Sequence, residues 1–577
     1  FDATCFWFSY SFTNNSVAMA KLWAWFSCCW WLSNLYHADA GSCKEMGCGN
    51  HDETCWCVSS CWSFNDCCHD FSSACPEKPA DIRLGEVNFL VTTDLHSWIE
   101  GRRHQPHLDA SLGHVVAALE HLRHDARGQQ RDVFFFDNGD INDGTGLSAS
   151  AEDHVEYLAP VLRMAGYDAL NVGNHELYQR NGYGLVPGAA CPVVALHESG
   201  YIHSWKGRYL TSNVVWANTL QPIGNRYAMI SGEFGTKLLV FGFLYNMEDH
   251  CDAVEVLNVK DVMTSSWFLS ALDEATEVDA VVVLAHMDYR DDLVDLLWQS
   301  IRARVGKSKP IQILAGHSHI RGYRQLDDYA SVYEAGCKLD TVGFLSFQHR
   351  ADGNGLSFEH ANITGNIKDM AGALHVESLP PATTVQKALV AAKEAAGSER
   401  ILGCSREHYY LSNPLQENNS LWSFYMETVI PEILFSNRDS LAIVGTGALS
   451  YDIFPGTFTL DDVYTTSPYG NFWLILEKIP GQHLQQLLAE LNGRSHIRRL
   501  SHRGARVPSY VSSGVPEVSK TYDLIFCDFD QEVIVQHLKT LVKHQLQAPQ
   551  VFRPASNTSS VLEAWFQKQP CGEETHI

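Results

Sequence analysis

The sequence predicts an α/β protein of several domains, the largest of which carries a metal site. Three observations lead to this prediction: apolar runs typical of strands buried on both faces, helical periodicity between them, and polar residues of metal-ligand type after five of the runs. The chain of 577 residues is long enough for two to four domains, and its 45% hydrophobic and 19% charged residues are typical of a globular protein. We therefore expect substantial hydrophobic cores.

Five apolar runs are predicted to be buried strands, and each ends at a polar motif. The runs are residues 87–91, 133–136, 169–172, 280–284 and 311–315. They are followed, in the same order, by Asp94-Leu95-His96, Asn138-Gly139-Asp140, Gly173-Asn174-His175-Glu176, Ala285-His286 and Gly316-His317-Ser318-His319. Because ligands sit beyond the carboxyl ends of strands in open sheets, we expect these side chains to converge. Burying them together without a cation would cost too much free energy, so the set predicts a metal centre.

Helical periodicity appears between the predicted strands. Residues 112–127 carry apolar side chains at helical spacing, and residues 153–164 repeat that pattern. Alternating strands and helices, with functional residues at strand ends, indicate a layered α/β architecture. A further helix is predicted over residues 383–396, where it would join two domains.

The order of the five motifs resembles the signature of the calcineurin-like metallophosphoesterases, in particular their 5'-nucleotidase and UDP-sugar hydrolase branch. The resemblance covers about residues 87–336 and implies a four-layer sandwich that holds two divalent metal ions. It implies that Asp140 bridges the two ions. One site would be completed by Asp94, His96 and His319, and the other by Asn174, His286 and His317. Imidazole and carboxylate ligands suit Zn, Mn, Fe or Co, and they leave the choice among these open.

The same resemblance implies hydrolysis of a phosphate ester. Paired metal ions clamp a phosphoryl group and lower the pKa of a bound water, while the developing phosphoryl charge needs a cationic partner. His175 is expected to stabilise that charge or to protonate the leaving group. Members of this branch usually have an Asp two residues after G-N-H-E, where this chain has Tyr178. Either Glu176 or Asp143 supplies the carboxylate that orients His175, or turnover is slower.

Charge and cysteine content narrow the class of protein. The net charge of −25, from 67 acidic and 42 basic residues, argues against a nucleic-acid-binding or anionic-membrane-binding protein. The 17 cysteines indicate an oxidising compartment.

Residues 1–40 have the features of a signal peptide preceded by an upstream stretch. A positive region at 19–21 and an apolar stretch at 22–35 are followed by the small-x-small sequence Ala38-Asp39-Ala40. The apolar stretch is too short and too interrupted to favour a transmembrane segment. We therefore expect secretion into the extracellular space or the secretory-pathway lumen, with cleavage before Gly41.

Residues 41–77 are predicted to form a small disulfide-rich module. Eight cysteines lie there: Cys43, Cys48, Cys55, Cys57, Cys61, Cys67, Cys68 and Cys75. The even number in a secreted chain and the adjacent Cys67-Cys68 favour disulfides over zinc. The spacing resembles the somatomedin B domain, which implies the pairs Cys43–Cys57, Cys48–Cys75, Cys55–Cys68 and Cys61–Cys67. That resemblance also implies an extracellular protein partner, although a module that only shields or positions the enzyme is the alternative.

Two further features fit a secreted chain. Cys191 and Cys251 are candidates for a disulfide whose formation depends on geometry. Asn362, Asn418 and Asn557 stand in tripeptides that accept N-linked glycans.

The predicted division of the chain is a catalytic domain at 82–380, a linker helix at 381–402 and a smaller α/β domain at 403–577. In this last domain the stretches 457–463, TFTLDDV, and 467–471, SPYGN, resemble the carboxyl-terminal domain of 5'-nucleotidases. In that family the domain holds the base between aromatic rings and grips the nucleotide with Arg and Asn. Tyr469, Asn471 and Phe529 are the expected substrate contacts. The rings of Tyr469, Phe472 and Phe529 could each offer a stacking face, with core packing as the alternative. The family's Asn and Arg are absent from residues 445–450, where Ser450 stands in place of the Arg, and its late Gly-rich segment is replaced by 527–531.

The sequence thus predicts a secreted dinuclear phosphoesterase that cleaves a phosphomonoester or phosphoanhydride, with nucleotides among the expected substrates. A phosphatase acting on polyphosphate or on a non-nucleotide ester is one alternative. An extracellular binding protein with weak turnover is another, and Tyr178 and Ser450 keep it open.

Overall fold

The computed structural model describes residues 42–46, 80–178, 191–436, 439–493, 507–542 and 546–571. The described residues from 80 onwards belong to one compact unit, to which the following paragraphs refer. Of the other unit, residues 42–46 are described, and there Cys43–Met46 forms the helical turn α1. The predicted signal peptide and seven of the eight module cysteines lie outside the described residues. Each helix within the described ranges is too short or too polar to cross a membrane.

The five predicted strands are all formed. Between residues 87 and 364 the described strands are β1 Val87–Thr92, β2 Asp132–Asp137, β3 Ala169–Asn171, β4 Tyr209–Leu210, β5 Val214–Trp216, β6 Tyr227–Ser231, β7 Lys237–Leu244, β8 Val254–Val256, β9 Ala280–His286, β10 Ile311–Ala315, β11 Arg321–Asp327, β12 Ala330–Ala335, β13 Thr341–His349 and β14 Leu356–Thr364. The predicted runs correspond to β1, β2, β3, β9 and β10, so this prediction is confirmed.

Two six-stranded sheets contain these strands. The first has the order β14-β13-β1-β2-β3-β4, and the second β11-β12-β10-β9-β7-β6. Neighbours from β1 to β4 are parallel, as are β7, β9, β10 and β12. The five motif strands are therefore shared between two sheets, with three in the first and two in the second.

The sheets pack face to face and are covered by helices on their outer faces. Phe134 and Phe136 point from β2 towards the second sheet and pack with Val282 of β9. Phe135, between them, points outward and packs under the helices. The helices of this region are α2 Leu112–Arg127, α3 Gly146–Ala149, α4 Leu158–Arg163, α5 Pro192–Glu198, α6 Tyr201–Ser204, α7 Val259–Thr264, α8 Ser266–Asp273, α9 Asp292–Val305, α10 Ile367–Ala373 and α11 Thr383–Ala396. Burial of both faces explains the continuous apolar runs and gives the predicted four layers.

The helix predictions differ in accuracy. Helices α2 and α11 have the predicted bounds. The helix predicted over 153–164 begins only at Leu158. The side chain of Asp153 accepts hydrogen bonds from the backbone N–H groups of Val155 and Glu156, at 3.0 and 2.9 Å, and so forms a turn where the first helical turn was predicted.

The carboxyl-terminal part contains a second, smaller α/β arrangement. Its strands are β15 Ile401–Ser405, β16 Ser440–Gly445, β17 Gly456–Thr459, β18 Phe472–Pro480, β19 Tyr510–Ser512, β20 Thr521–Cys527 and β21 Gln550–Asn557. Its helices are α12 Leu421–Ser423, α13 Ile430–Leu434, α14 Leu460–Thr466, α15 Gly481–Gly493, α16 Gln531–Val542 and α17 Thr558–Phe566. The order β19-β16-β20-β18-β21 forms one sheet, and β15 pairs with β17. Separate apolar clusters pack on the two faces of the larger sheet.

Two disulfides are present among the described residues. Cys191 is bonded to Cys251, which confirms that candidate pair. Cys404 is bonded to Cys571 and ties β15 to the end of the described chain. Both fit the oxidising compartment that the cysteine content predicts.

Polar and aromatic contacts hold the carboxyl-terminal part against the first. The backbone N–H of Gly146 donates to Asp461 at 2.7 Å. His104 Nε2 lies 2.8 Å from Asp462 Oδ1, and its ring stacks on Phe454 with centroids 4.8 Å apart. These contacts place the loops after β16 and β20 opposite the ends of the motif strands.

Candidate metal centre

The expected metal ligands form one cluster where the two sheets meet. Their ligand atoms lie within 4.8 Å of one another in three overlapping groups: Asp94, His96 and His319; His96, Asp140 and His175; and Asp140, His286 and His317. The Oδ1 atom of Asn174 lies 3.0 Å from Nε2 of His286 and joins the last group. The first and last groups are the two ligand sets that the motif resemblance implies. The middle group also brings His175 within reach of a cation.

Unusual backbone conformations carry most of these ligands. Five of them have positive φ: Asp94 at 50°, His96 at 45°, Asp140 at 56°, His317 at 73° and His319 at 63°. A left-handed conformation costs about 1–2 kcal/mol for a residue with a Cβ atom. Such strain persists only where the surrounding structure enforces it, and it clusters at functional sites. The loops are therefore held in shapes that aim side chains at one point.

Close backbone packing between two of the loops requires glycine. Gly139 has φ of 91°, and a Cβ atom there would lie 2.4 Å from the backbone nitrogen of Gly173. A Cβ atom on Gly173 would lie 2.2 Å from Asp140 Oδ1. The glycines of the second and third motifs thus let the loops after β2 and β3 touch.

In His286 and His96, a hydrogen bond at one ring nitrogen fixes which nitrogen is left to bind a metal ion. His286 Nδ1 lies 2.8 Å from the carbonyl oxygen of Asn138, and His96 Nδ1 lies 3.0 Å from that of Asn142. Since a carbonyl only accepts, Nδ1 carries the proton in both rings and Nε2 of the neutral ring presents its lone pair to the cluster. His96 Nε2 also lies 3.0 Å from His319 Nε2. Converging nitrogen lone pairs beside buried carboxylates fit a divalent cation.

The electrostatics of the cluster favour ionised carboxylates. Burial acts to raise the pKa of Asp94, but the charges of His286 and His319 outweigh it and hold this pKa at about 2. The pKa of Asp140 lies well below its usual value, because nearby histidines again outweigh burial. Burial, with the charges of neighbouring histidines, lowers the pKa values of His96 and His317 to about 3. Burial acts to lower the pKa of His286, but the charges of Asp140 and Asp94 outweigh it and raise this pKa to about 10. Metals bind anionic carboxylates and neutral imidazoles, so His286 would release a proton when a cation binds.

Two buried acids hold the loops rather than facing the cluster. Glu176 accepts hydrogen bonds from the backbone N–H groups of Gly173 at 2.6 Å, Ile141 at 2.8 Å and Asp140 at 3.1 Å. Glu334 accepts the backbone N–H and the hydroxyl of Ser318, at 3.1 and 2.7 Å. Burial and neighbouring carboxylates raise the pKa of Glu176 to about 7 and that of Glu334 to about 8. The sequence analysis did not single out Glu334, because a lone Glu inside a strand gives no signal.

The carboxylate beside His175 belongs to Asp143. Its Oδ2 lies 2.7 Å from Nδ1 of His175, while its Oδ1 lies 2.9 Å from Nδ1 of His154. Glu176, the other candidate for this contact, is engaged with the backbone instead. Tyr178 accepts a hydrogen bond from Nδ2 of Asn174 at 3.3 Å, which turns the amide oxygen of Asn174 towards His286.

A cavity of about 850 Å³ opens in front of the cluster and reaches the carboxyl-terminal part. Tyr469, Asn471 and Phe529, the three expected substrate contacts, all line it. The ring of Tyr469 lies 6.2 Å from that of His175, and the side chain of Phe529 is 57% exposed. Core packing is therefore excluded for Phe529. It holds instead for Phe472, which is buried in the apolar cluster of the smaller sheet.

The wall of the cavity opposite the cluster is acidic. Asp528 and Asp530 line it, and both side chains are buried. Burial, with the charge of Asp530, raises the pKa of Asp528 to about 7, while burial raises that of Asp530 to about 6. Oδ1 of Asp528 has no hydrogen-bond partner within the described ranges. The described residues that line this cavity include no Lys or Arg.

Comparison with known proteins follows the division of the chain. Residues 87–321 match the family model of the calcineurin-like phosphoesterases, and residues 407–506 match that of the NAD nucleotidase C-terminal domain. An uncharacterized protein of Schizosaccharomyces pombe is 25% identical over 538 residues, 81% of this chain and 87% of that protein. A secreted protein of Arthroderma benhamiae is 25% identical over 488 residues, 75% of this chain and 71% of that protein.

The fold is also that of a solved structure. A 5'-nucleotidase from Candida albicans superimposes with a TM-score of 0.76 at 22% identity, which covers 85% of this chain and 100% of that chain. At this identity the likeness concerns the fold, whereas the match over 87–321 concerns the family of that region. Residues 87–321 therefore carry a calcineurin-like phosphoesterase domain of the metallophosphoesterase fold, and the chain is a phosphoric ester hydrolase.

Proposed function

We propose that the chain is a secreted phosphomonoesterase that uses two divalent metal ions and accepts substrates with an aromatic group, nucleoside 5'-monophosphates among them. The observation that carries this proposal is the cavity that runs from the ligand cluster past Tyr469, whose ring lies 6.2 Å from that of His175, to Phe529. A phosphoryl group at one end would leave room for a ring at the other. We assign catalysis to residues 82–380, a linker to 381–402 and substrate recognition to 403–577.

The donor set fits two metal ions. Asp94, His96 and His319 would hold one, Asn174, His286 and His317 the other, and Asp140 would belong to both. When bound, such a pair supplies a clamp for the phosphoryl oxygens and activation of a water. Zn, Mn, Fe and Co all suit imidazole with carboxylate.

His175 is the proposed catalytic residue. Its backbone N–H donates to Asp140 Oδ1 at 2.8 Å, so the ring is fixed at the edge of the cluster. Asp143 accepts the Nδ1 proton and leaves Nε2 to face the substrate, either to stabilise the charge on the phosphoryl oxygens or to protonate the leaving group. Tyr178 does not need to supply the carboxylate, because Asp143 does so from the neighbouring loop.

The far wall is proposed to select the organic part of the substrate. An aromatic group would lie against Tyr469 and Phe529, since ring stacking contributes about 1–3 kcal/mol per base and tolerates any base. The carboxylates of Asp528 and Asp530 would accept hydrogen bonds from hydroxyl or amino groups. Asn471 adds a side chain that can both donate and accept.

Polyphosphate and other non-nucleotide esters are the second candidate class. A polyanion needs several cations along its path, but the described lining of the large cavity offers carboxylates instead. We therefore expect a single phosphoryl group with a neutral organic part to be preferred. An extracellular binding protein with weak turnover is the third candidate, and the ordered contact between Asp143 and His175 argues against it.

Secretion is supported by the signal-peptide features of the sequence and by the relative from Arthroderma benhamiae that is named a secreted protein. A somatomedin B-like module at 41–77 would then carry disulfides and either bind an extracellular partner or position the enzyme. Sequencing of the mature amino terminus tests this: a start at Gly41 supports the proposal, and a start well before it contradicts cleavage there.

A substrate panel tests the activity. Protein loaded with Mn or Zn is offered AMP, ATP, UDP-glucose, glycerol phosphate, p-nitrophenyl phosphate and polyphosphate, and phosphate release is measured. We expect AMP to give the highest kcat/KM and polyphosphate the lowest. Turnover of none of them would support the binding protein, and a preference for polyphosphate would support the second candidate class.

Two variants, measured on substrates from that panel, test whether the far wall contacts the substrate. Tyr469→Ala and Phe529→Ala should each raise KM for AMP about 5- to 100-fold, since each removes one stacking face. For Phe529→Ala, kcat/KM for glycerol phosphate, which has no ring, should stay within about threefold of wild type. Tyr469 also lines a small cavity beside His175, so Tyr469→Ala is judged by a larger loss on AMP than on glycerol phosphate. Phe234→Ala is the matched control, because Phe234 is 36% exposed and does not line the described cavity wall. Equal losses of kcat/KM on AMP and on glycerol phosphate would show that the far wall does not take part in substrate recognition.

A further inference from the structure

The turn between β12 and β13 passes directly beside the metal-ligand cluster. The backbone N–H of Lys338 in this turn donates to the carbonyl oxygen of Asp94 at 2.8 Å. Arg102 donates to the carbonyl oxygen of Lys338 at 3.0 Å. The backbone N–H of Asp340 closes the turn by donating to the carbonyl oxygen of Cys337 at 2.9 Å. The backbone of Lys338 is thus fixed on both sides, and one of its partners is a ligand-bearing residue.

The turn holds Lys338 in a left-handed backbone conformation. Lys338 and Leu339 have φ values of 53° and 52°, in the left-handed region that residues with a Cβ atom avoid. Leu339 is buried in the core beneath the first sheet. The neighbouring Lys338 is only partly buried and lines a second, small cavity. Two consecutive residues with positive φ, closed by the hydrogen bond from Asp340 to Cys337, form a tight turn that fixes the backbone of Lys338.

The second cavity is small and lies against the proposed reaction site. It measures about 50 Å³ and is lined on one side by His96, His175 and His319. Ser450 and Tyr469 of the carboxyl-terminal part line it as well. Among the described residues that line the two cavities, Lys338 is the single Lys or Arg. Within the described part of the chain, the lasting positive side-chain charge at these two cavities therefore comes from the turn after β12.

We propose that Lys338 is a phosphate-binding residue whose ammonium group contacts an oxygen of the substrate phosphoryl group beside the metal centre. The inference rests on the proposed phosphomonoesterase function and adds a residue to it. A phosphate monoester is a dianion, and an ammonium group is a compact charge that binds phosphate oxygens with charge-assisted hydrogen bonds. Ser450, which lines the same cavity, offers a hydroxyl but no charge. The positive charge at the phosphoryl site is thus supplied by the phosphoesterase part of the chain.

Lys338 also accounts for the expected preference for one phosphoryl group. Its charge lies at the cluster, while Asp528 and Asp530 occupy the far wall of the large cavity. A second anionic group on the substrate would be placed towards those carboxylates rather than towards Lys338. Binding of inorganic phosphate should therefore depend on Lys338, whereas binding of an uncharged product should not.

The test compares Lys338→Met, Lys338→Arg and the control Lys387→Met, in which an exposed lysine of α11 is replaced. Binding of inorganic phosphate and of adenosine to the full metal-loaded chain is measured by calorimetry, and metal content by elemental analysis. We expect Lys338→Met to weaken phosphate binding about 10- to 100-fold, the worth of one charge-assisted hydrogen bond, and to lower kcat/KM for AMP by a similar factor. Adenosine binding and metal content should stay within about twofold of wild type, and Lys338→Arg should recover part of the phosphate affinity.

Several results would overturn the proposal. Phosphate binding by Lys338→Met within twofold of wild type, at equal metal content, would show that the ammonium group does not contact the phosphoryl group. Equal losses of phosphate and adenosine affinity would indicate a structural role instead. If Lys338→Met does not fold, Lys338→Gln is measured by the same criteria. Wild-type protein that binds metal but neither binds phosphate nor hydrolyses AMP would instead refute the proposed function itself.

Discussion

The two walls of the large cavity are built in different ways. The wall formed by the motif loops holds buried ligand atoms whose partners are backbone groups, such as the carbonyl oxygens of Asn138 and Asn142. The far wall is less completely bonded: Phe529 is 57% exposed and Oδ1 of Asp528 meets no donor in the described part of the chain, although Asp530 accepts the backbone N–H of Gly445 at 3.0 Å. The first wall is pre-organised for one chemistry, and the second can accommodate different groups.

This difference indicates that the wall formed by the motif loops carries the reaction and that the far wall determines specificity. Positions that must hold a cation tolerate little displacement, so strain at Asp94 and Asp140 is retained and supported from behind by acids such as Glu176. Positions that contact the organic part of a substrate need surface and hydrogen-bonding capacity rather than exact geometry. Changes in the near wall should therefore affect turnover and metal content, and changes in the far wall affinity and stability.

The largest effect is expected from Asp140→Asn. The substitution removes the carboxylate shared by two of the ligand groups, so metal content and activity should fall together, with kcat/KM reduced by about 1000-fold or more. Elemental analysis and phosphate release measure the two quantities. Asp328→Asn is the control, since its side chain is 70% exposed in a surface ion pair with Arg350. If Asp140→Asn retained both metal and activity, the wall formed by the motif loops would not be the metal-binding wall.

The next prediction distinguishes the role of Asp143 from that of Glu176. His175→Ala should lower kcat about 10²–10⁴-fold, and Asp143→Asn about 10- to 1000-fold, because the ring loses its orienting carboxylate. Both variants should keep most of their metal. Glu176→Gln should instead reduce metal retention and lower the free energy of unfolding by about 1–3 kcal/mol, because an amide cannot accept three backbone N–H groups as well as a carboxylate does.

Turnover, elemental analysis and denaturant unfolding of these three variants distinguish the roles. Unchanged turnover in His175→Ala would show that this residue is not catalytic. A loss of turnover in Glu176→Gln at full metal content would show that Glu176, and not Asp143, acts through His175.

The last expected effect concerns the far wall, changes stability rather than turnover, and depends on pH. The pKa of Asp528 is raised to about 7 in the folded chain, against about 3.9 in an unfolded chain, so the folded state binds the extra proton between these values. Stability from this group is therefore present below about pH 4 and is lost as the pH rises through 7. Asp528→Asn should be more stable than wild type by about 2–4 kcal/mol at pH 8, and equal to it near pH 4.

Denaturant unfolding at the two pH values, at constant metal load, measures this difference. Asp352→Asn, in an exposed loop, should show no such dependence on pH. A stability gain for Asp528→Asn that is the same at pH 4 and pH 8 would mean that charge on Asp528 is not its cause.

Prediction from the sequence was most accurate where a residue type and its neighbours carry the information. The apolar runs located β1, β2, β3, β9 and β10, because strands buried on both faces leave a continuous apolar signal. The polar residues after them identified the ligand cluster. The helix at 153–164 was placed too early, since the capping behaviour of Asp153 cannot be distinguished from helical periodicity in sequence alone.

The remainder depends on contacts between distant residues. Asp143 and Glu176 were equal candidates to orient His175, and only the packing of the loops after β2 and β3 separates them. The disulfide Cys404–Cys571 spans 167 residues and was not predicted. Lys338 lies in a turn that no motif marks, so its position next to His319 and Ser450 emerges only in the folded chain.

The sequence by itself determined the layered α/β class, the ligand types and the chemistry that they permit, because hydrophobic periodicity and side-chain donors are local properties. The tertiary structure alone decided that the expected ligands come from two sheets, that Asp143 rather than Glu176 contacts the His175 ring, and that Tyr469 and Phe529 line the cavity in front of the ligand cluster. The physical reason is that burial and left-handed backbone conformations at Asp94 and Lys338 are set by groups hundreds of residues away. The backbone propensities of the local sequence therefore do not indicate these partners.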